Sequence, residues 1–134
     1  MPVRKTETLP VRSDEDIVRV RQAARAWAVE IGLSLVDQTK IVTAASELAR
    51  NTMIYGGGGT VRLDQLEEAR RGLRLIFEDR GPGIADLNLA LTDGYTTGGG
   101  LGLGLSGAKR LSNEFEIESK PGEGTRVTIT RWKG

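Results

Sequence analysis

The 134-residue chain contains no histidine and no cysteine. Without an imidazole there is no Ser-His-Asp triad, no histidine general base and none of the usual zinc-ligand sets. Without a thiol there are no disulfides, thiolate nucleophiles or thiolate metal sites, which is compatible with a reducing compartment. Chemistry is left to carboxylates, hydroxyls, amines or a hard metal ion. An excess of either charge is lacking too: 19 Lys and Arg stand against 18 Asp and Glu, so no long-range field draws the chain toward nucleic acid or anionic lipid. The basic N-terminus has no apolar signal-peptide core, and no segment is long and apolar enough to cross a bilayer. We therefore expect a cytoplasmic protein whose partners are proteins and small molecules, with no nucleic acid and no membrane.

What is present fits one domain spanning 1–134, long enough to bury a real core. Leu9 and Val11 alternate in a strand over Thr6 to Arg12 that Pro10 assigns to a sheet edge. Ser13 with Asp16 forms a capping box, and the helix behind it carries Ile17, Val20, Ala24, Trp27 and Ile31 at helical spacing before Gly32 ends it. Ser34 and Asp37 repeat the signal for a second helix from Val36 to Tyr55, stopped by the glycines at 56 to 59. Strands follow around Val61 and Leu63, and around Leu73, Leu75 and Phe77 up to Asp79. Gly81 to Gly100 shows no clear element, and a loop of that length in a compact domain is commonly a lid or binding loop. A short helix over Leu103 to Ser112 and a hairpin turning at Lys120 to Gly124 complete the chain. The pattern predicts an α+β sandwich, a mixed, mostly antiparallel sheet with helices on one face. Trp27 and Trp132 read as packing residues.

Three segments carry candidate chemistry. Glu47 and Asn51 lie four residues apart, on one helix face, where a carboxylate and an amide can converge on a phosphate and its metal. Taken alone, they also fit the solvated face of an amphipathic helix. Asp79 ends a strand and is followed by Arg80-Gly81-Pro82-Gly83, which reads equally as a turn or as a carboxylate placed to accept from an amino group. The tract Gly98 to Gly107 contains G-x-G-x-x-G at Gly102 to Gly107, yet it follows a loop instead of a strand and leaves no room for a βαβ pair, so the dinucleotide reading fails on context. There is no G-x-x-x-x-G-K-[ST] sequence. A glycine hinge running into a helix start suits phosphate better.

The order of these segments, with Gly124-Thr125 in the last hairpin, resembles the motifs of the GHKL superfamily of ATPases and kinases, the Bergerat fold. Ser46 to Asn51, Glu78 to Ile84 and Asp93 to Gly102 are most similar to the RsbT-type switch kinases of the bacterial stressosome. The resemblance implies a two-layer Bergerat-fold sandwich with a flexible ATP lid, and a serine/threonine protein kinase using ATP and Mg2+. It implies Glu47 as catalytic base, Asn51 as the metal ligand and Asp79 as the acceptor of the adenine amino group. Gly81 and Gly83 would admit the base, Thr125 would assist through water, and Gly100, Leu101, Gly102, Leu103 and Gly104 would hold the phosphates. Phosphoryl transfer needs positioning and charge neutralisation, which a carboxylate, one metal and a nest of amides supply.

The resemblance further implies STAS-domain proteins as substrates and a PP2C-type phosphatase activated by binding. The alternatives it leaves are an anti-sigma factor with kinase activity toward a STAS protein, and a nucleotide-gated binding module with little catalysis. Autophosphorylation on histidine is excluded by composition. The sequence departs from the related pattern in having no Lys or Arg between Ile84 and Leu105, where related lids often supply a cation. We expect Arg50, three residues after Glu47, or Lys109 to take that role.

Overall fold

The computed structural model describes residues 2–84 and 104–134. Among the described residues, five strands and three helices follow in the order β1 (Val3–Val11), α1 (Asp14–Glu30), α2 (Leu35–Ile54), β2 (Gly59–Glu67), β3 (Arg71–Asp79), α3 (Gly104–Arg110), β4 (Glu114–Lys120) and β5 (Gly124–Trp132). The sheet order is β1-β2-β3-β5-β4, and every pairing among the described strands is antiparallel. β1 is an edge strand, which is why Pro10, lacking an N–H to share, is tolerated there. It starts at Val3, three residues before the expected start, because an irregularity between Val3 and Lys5 lets pairing with β2 continue to Leu66.

Both capping signals act as read. Ser13 Oγ accepts from Asp16 N–H at 3.2 Å while the Asp16 carboxylate reaches back to Arg12 N–H at 3.0 Å; Ser34 Oγ accepts from Asp37 N–H at 3.1 Å. Period two then sorts each strand into faces. Leu63, Leu75, Phe77, Val127 and Ile129 are buried toward the helices, which meet them with Val20, Trp27, Ile41, Ala45 and Leu48. Ala44, Ala45 and Ala49 are fully buried along α2, so its backbone sits close to its neighbours and side chains a turn away are held firmly. Trp27 and Trp132 are both buried, in keeping with a packing role.

The opposite sheet face carries a charged cluster beside buried Leu66, Ile76 and Trp132. There the Asp64 side chain is 2% exposed and is surrounded by Arg74 at 2.8 Å, Thr6 at 2.8 Å and Arg62 at 3.2 Å, joining β1, β2 and β3. Burial alone would raise the Asp64 carboxyl, but the hydrogen bonds from Arg74, Thr6 and Arg62 outweigh it and hold the group below the usual carboxylate range.

Candidate functional site

The sheet and α2 meet where α2 ends. Asn51 C=O accepts from Tyr55 N–H at 2.9 Å and from Gly56 N–H at 3.1 Å, closing the helix in a tight turn that carries Gly56 toward the end of β3. Gly56 lies against the Asp79 side chain so closely that a Cβ on it would fall 2.6 Å from Asp79 Cβ, and one on Gly81 would fall 2.7 Å from Gly56 Cα. The chain after α2 and the chain after β3 thus touch through two glycines, with the Asp79 carboxylate between them. One oxygen, Oδ1, accepts from Gly81 N–H at 2.9 Å, an Asx-type turn that fixes the side-chain angle. The other, Oδ2, faces Gly56, so the carboxylate is clamped with a lone-pair edge in reserve.

A second junction forms behind Asp79. Asp79 pairs with Thr125 across β3 and β5. Ser119 Oγ lies 2.8 Å from Thr125 Oγ1, 3.0 Å from Gly124 C=O and 2.8 Å from Ile84 N–H, which donates to it. Gly83 and Gly124 adopt φ of +75° and +93°, and Cβ atoms on them would fall 2.7 Å from the Lys120 carbonyl carbon and 2.9 Å from Arg80 Cα. Only glycine fits both demands, so the loop after β3 is pressed onto the β4–β5 turn.

Glu47 and Asn51 project from one face of α2, each half-buried. The start of α3 reaches Asn51: a Cβ on Gly104 would lie 3.3 Å from Asn51 Nδ2 and 3.7 Å from Oδ1. The expected phosphate residue Gly104 and the expected metal ligand Asn51 are therefore neighbours. Among the described residues no group of three acidic side chains could hold a metal by itself. The donor set available is one carboxylate and one amide oxygen, both hard. That suits Mg2+, which takes one or two protein oxygens and completes its shell with phosphate and water.

Arg50 and Lys109 are exposed on α2 and α3. The expected lid, with Gly100, Leu101, Gly102 and Leu103, lies outside the described residues. Two participants escape a reading of the sequence. Gly56 looks like a helix stop among four glycines, and its closeness to Asp79 is a tertiary fact; Ser119 carries no local signal, since its partners lie at 84, 124 and 125.

The chain is similar to known proteins. Residues 36–133 match the family described as histidine kinase-, DNA gyrase B- and HSP90-like ATPases. The serine/threonine-protein kinase RsbT of Bacillus subtilis is 46% identical over 123 residues, covering 91% of this chain and 92% of that protein. The anti-sigma F factor of Clostridium novyi is 31% identical over 134 residues, covering 95% and 92%. Among solved structures, the RsbU and RsbW domains of a Mycobacterium tuberculosis protein align with a TM-score of 0.65 and 25% identity, over 98% of this chain and 33% of that one. By the extent of the match, the chain belongs to the family of histidine kinase-, DNA gyrase B- and HSP90-like ATPases.

Proposed function

We propose that the protein is an ATP-dependent serine/threonine protein kinase acting on STAS-domain proteins, and that it changes partner afterward to bind and activate a PP2C-type phosphatase. The observation that carries the catalytic part is the continuity of the site. One turn of chain leads from Asn51 to Gly56, which lies against Asp79, so a nucleotide whose base meets Asp79 runs its phosphates along the α2 face that bears Asn51 and Glu47. The likeness to RsbT at 46% identity, against 31% for an anti-sigma F factor, favours the switch kinase over the anti-sigma reading.

Asp79 Oδ2 accepts from the adenine amino group while Oδ1 stays with Gly81, and Thr125 supports the base through water. Asn51 holds Mg2+ through its amide oxygen, and that ion supplies neutralisation of the charge on the phosphates. Glu47 orients the substrate hydroxyl and accepts its proton as the oxygen bonds to the terminal phosphorus of ATP, while the bond from that phosphorus to the bridging oxygen breaks and ADP leaves with the electron pair. Arg50 or Lys109 supplies a positive charge to the transferring group.

The test is transfer of labelled phosphate from Mg-ATP to a panel of STAS-domain proteins. Glu47→Ala should abolish transfer while nucleotide and partner binding persist. A Glu47→Ala variant that transfers at the normal rate removes the assigned base, and nucleotide binding without transfer by the unaltered protein supports a nucleotide-gated binding module instead. Full rates in both Arg50→Ala and Lys109→Ala would discard the two proposed cations.

A further inference from the structure

Arg131 lies at the far end of the molecule's helical layer and makes an unusual set of contacts. Its side chain is 14% exposed, and its guanidinium forks between two helices. Nη2 donates to Asp37 Oδ1 in the first turn of α2 at 2.7 Å, and Nη1 donates to Leu111 C=O, one residue past α3, at 3.3 Å. The buried Nε–H has no partner among the described residues. A guanidinium serving only stability would be expected to satisfy all its donors, and departures of this kind concentrate where geometry serves function.

The two helices it joins are those that carry the phosphate end of the site. α2 presents Glu47 and Asn51, and α3 begins at Gly104 beside Asn51. The exit of α3 is stitched to β5 independently of Arg131: Asn113 N–H donates to Thr130 C=O at 2.9 Å, and Asn113 Oδ1 accepts from Trp132 N–H at 2.7 Å. Among the described residues the start of α2 has no second tie of that kind to the sheet or to α3. Its other polar contacts are local, Asp37 N–H to Ser34 and Gln38 Nε2 to Leu33 C=O, apart from a long one to α1, where Arg25 Nη1 donates to Gln38 Oε1 at 3.5 Å. Among the described residues, the Asp37–Arg131 pair is therefore the polar link that sets α2 against the sheet and α3 at this end.

We propose that Arg131 is a positioning residue for nucleotide phosphates, holding α2 at the angle that keeps Asn51 and Glu47 in register with the start of α3. This rests on the nucleotide reading above. The adenine end is built differently, from β3, the β4–β5 turn and Gly56, with no atom contributed by Arg131 or Asp37. A loosened α2 start thus weakens the hold on phosphates and leaves the hold on the base.

The experiment compares Mg-ATP and adenosine affinities, by calorimetry and NMR titration, in the unaltered protein and in Arg131→Met, Asp37→Asn and the double variant, each checked for folding by circular dichroism. Arg131→Met should weaken Mg-ATP at least tenfold and adenosine less than twofold. Asp37→Asn should follow in the same direction, and the double variant should be no weaker than Arg131→Met, because the two residues act as one link. Equal losses for both ligands would reduce Arg131 to a structural residue and overturn the proposal, as would an unchanged ATP affinity. If Arg131→Met fails to fold, Asp37→Asn, which keeps an acceptor in place, decides on the same ratio. Failure of the unaltered protein to bind either ligand would instead overturn the nucleotide reading, and this proposal with it.

Discussion

Gly56→Ala should disable nucleotide binding by a route that leaves the helices and the sheet intact. Gly56 has an ordinary backbone conformation, since it is absent from the glycines with positive φ, so alanine imposes no dihedral strain there. The added methyl would instead sit 2.6 Å from Asp79 Cβ, about 1 Å inside the separation of about 3.5–4.0 Å at which carbon atoms pack. Asp79 cannot retreat freely, because Oδ1 is bonded to Gly81 N–H and its backbone is paired with Gly59 and Thr125. The side chain must rotate out of the clamp. Crowding of this kind costs about 1–3 kcal/mol of stability. The displaced carboxylate would lose the proposed charged hydrogen bond to the base, worth about 1.5–3 kcal/mol, or roughly ten- to a hundredfold in ATP affinity.

Gly57 is the matched control. It has φ of +74° but nothing within 4 Å of a Cβ, so Gly57→Ala costs only left-handed strain of about 1 kcal/mol, a few degrees of melting temperature, and no affinity. Calorimetric titration with Mg-ATP and a thermal melt of each variant provide the comparison. Equal affinities for Gly56→Ala and the unaltered protein would refute the placement of the base at Asp79, and equal losses in both variants would show that the loop matters without that contact.

Asp79→Asn keeps the shape but puts a neutral amide where a carboxylate accepts; ATP affinity should fall at least tenfold in a fluorescence displacement assay, and normal affinity counts against the adenine assignment. Asp64→Asn should lower stability by about 1–3 kcal/mol in urea denaturation at pH 7, less than for a fully enclosed pair because Arg62 and Arg74 retain contact with water. The folded Asp64 carboxyl titrates below its unfolded value, so its contribution is complete above roughly pH 4 and fades as pH falls through the folded value. Asp64→Asn should therefore show a shallower loss of stability between about pH 5 and pH 2 than the unaltered protein. An identical acid limb in both would exclude Asp64 as a contributor.

The helices and most strands are legible in the sequence because their signals are local: capping oxygens three residues from their donors, apolar residues at periods of 3.6 and two, glycines at stops. The candidate site residues are legible as types in an order, since Glu47, Asn51 and Asp79 each sit at the end or on the face of an element that periodicity defines. What escapes is tertiary. The start of β1 at Val3 depends on Leu66 across the sheet. The Asp64 cluster draws on Thr6 and Arg74, and the Asp37–Arg131 pair spans 94 positions. Gly56 reveals its second task only when β3 is laid beside it. Periodicity can place a side chain on a face, but it cannot say what another element brings to that face.

The antiparallel insertion of β5 between β3 and β4 has a bearing on biosynthesis. Asp79 emerges from the ribosome well before Gly124 and Thr125, and the loop carrying Gly83 has nothing to press against until the turn after β4 is made. A nascent chain with both long helices and three strands complete still lacks the strand and turn that pack behind Asp79. If the base is held as proposed, nucleotide capture waits until β5 is made, and a product that ends before β5 should bind nucleotide far more weakly than the whole chain.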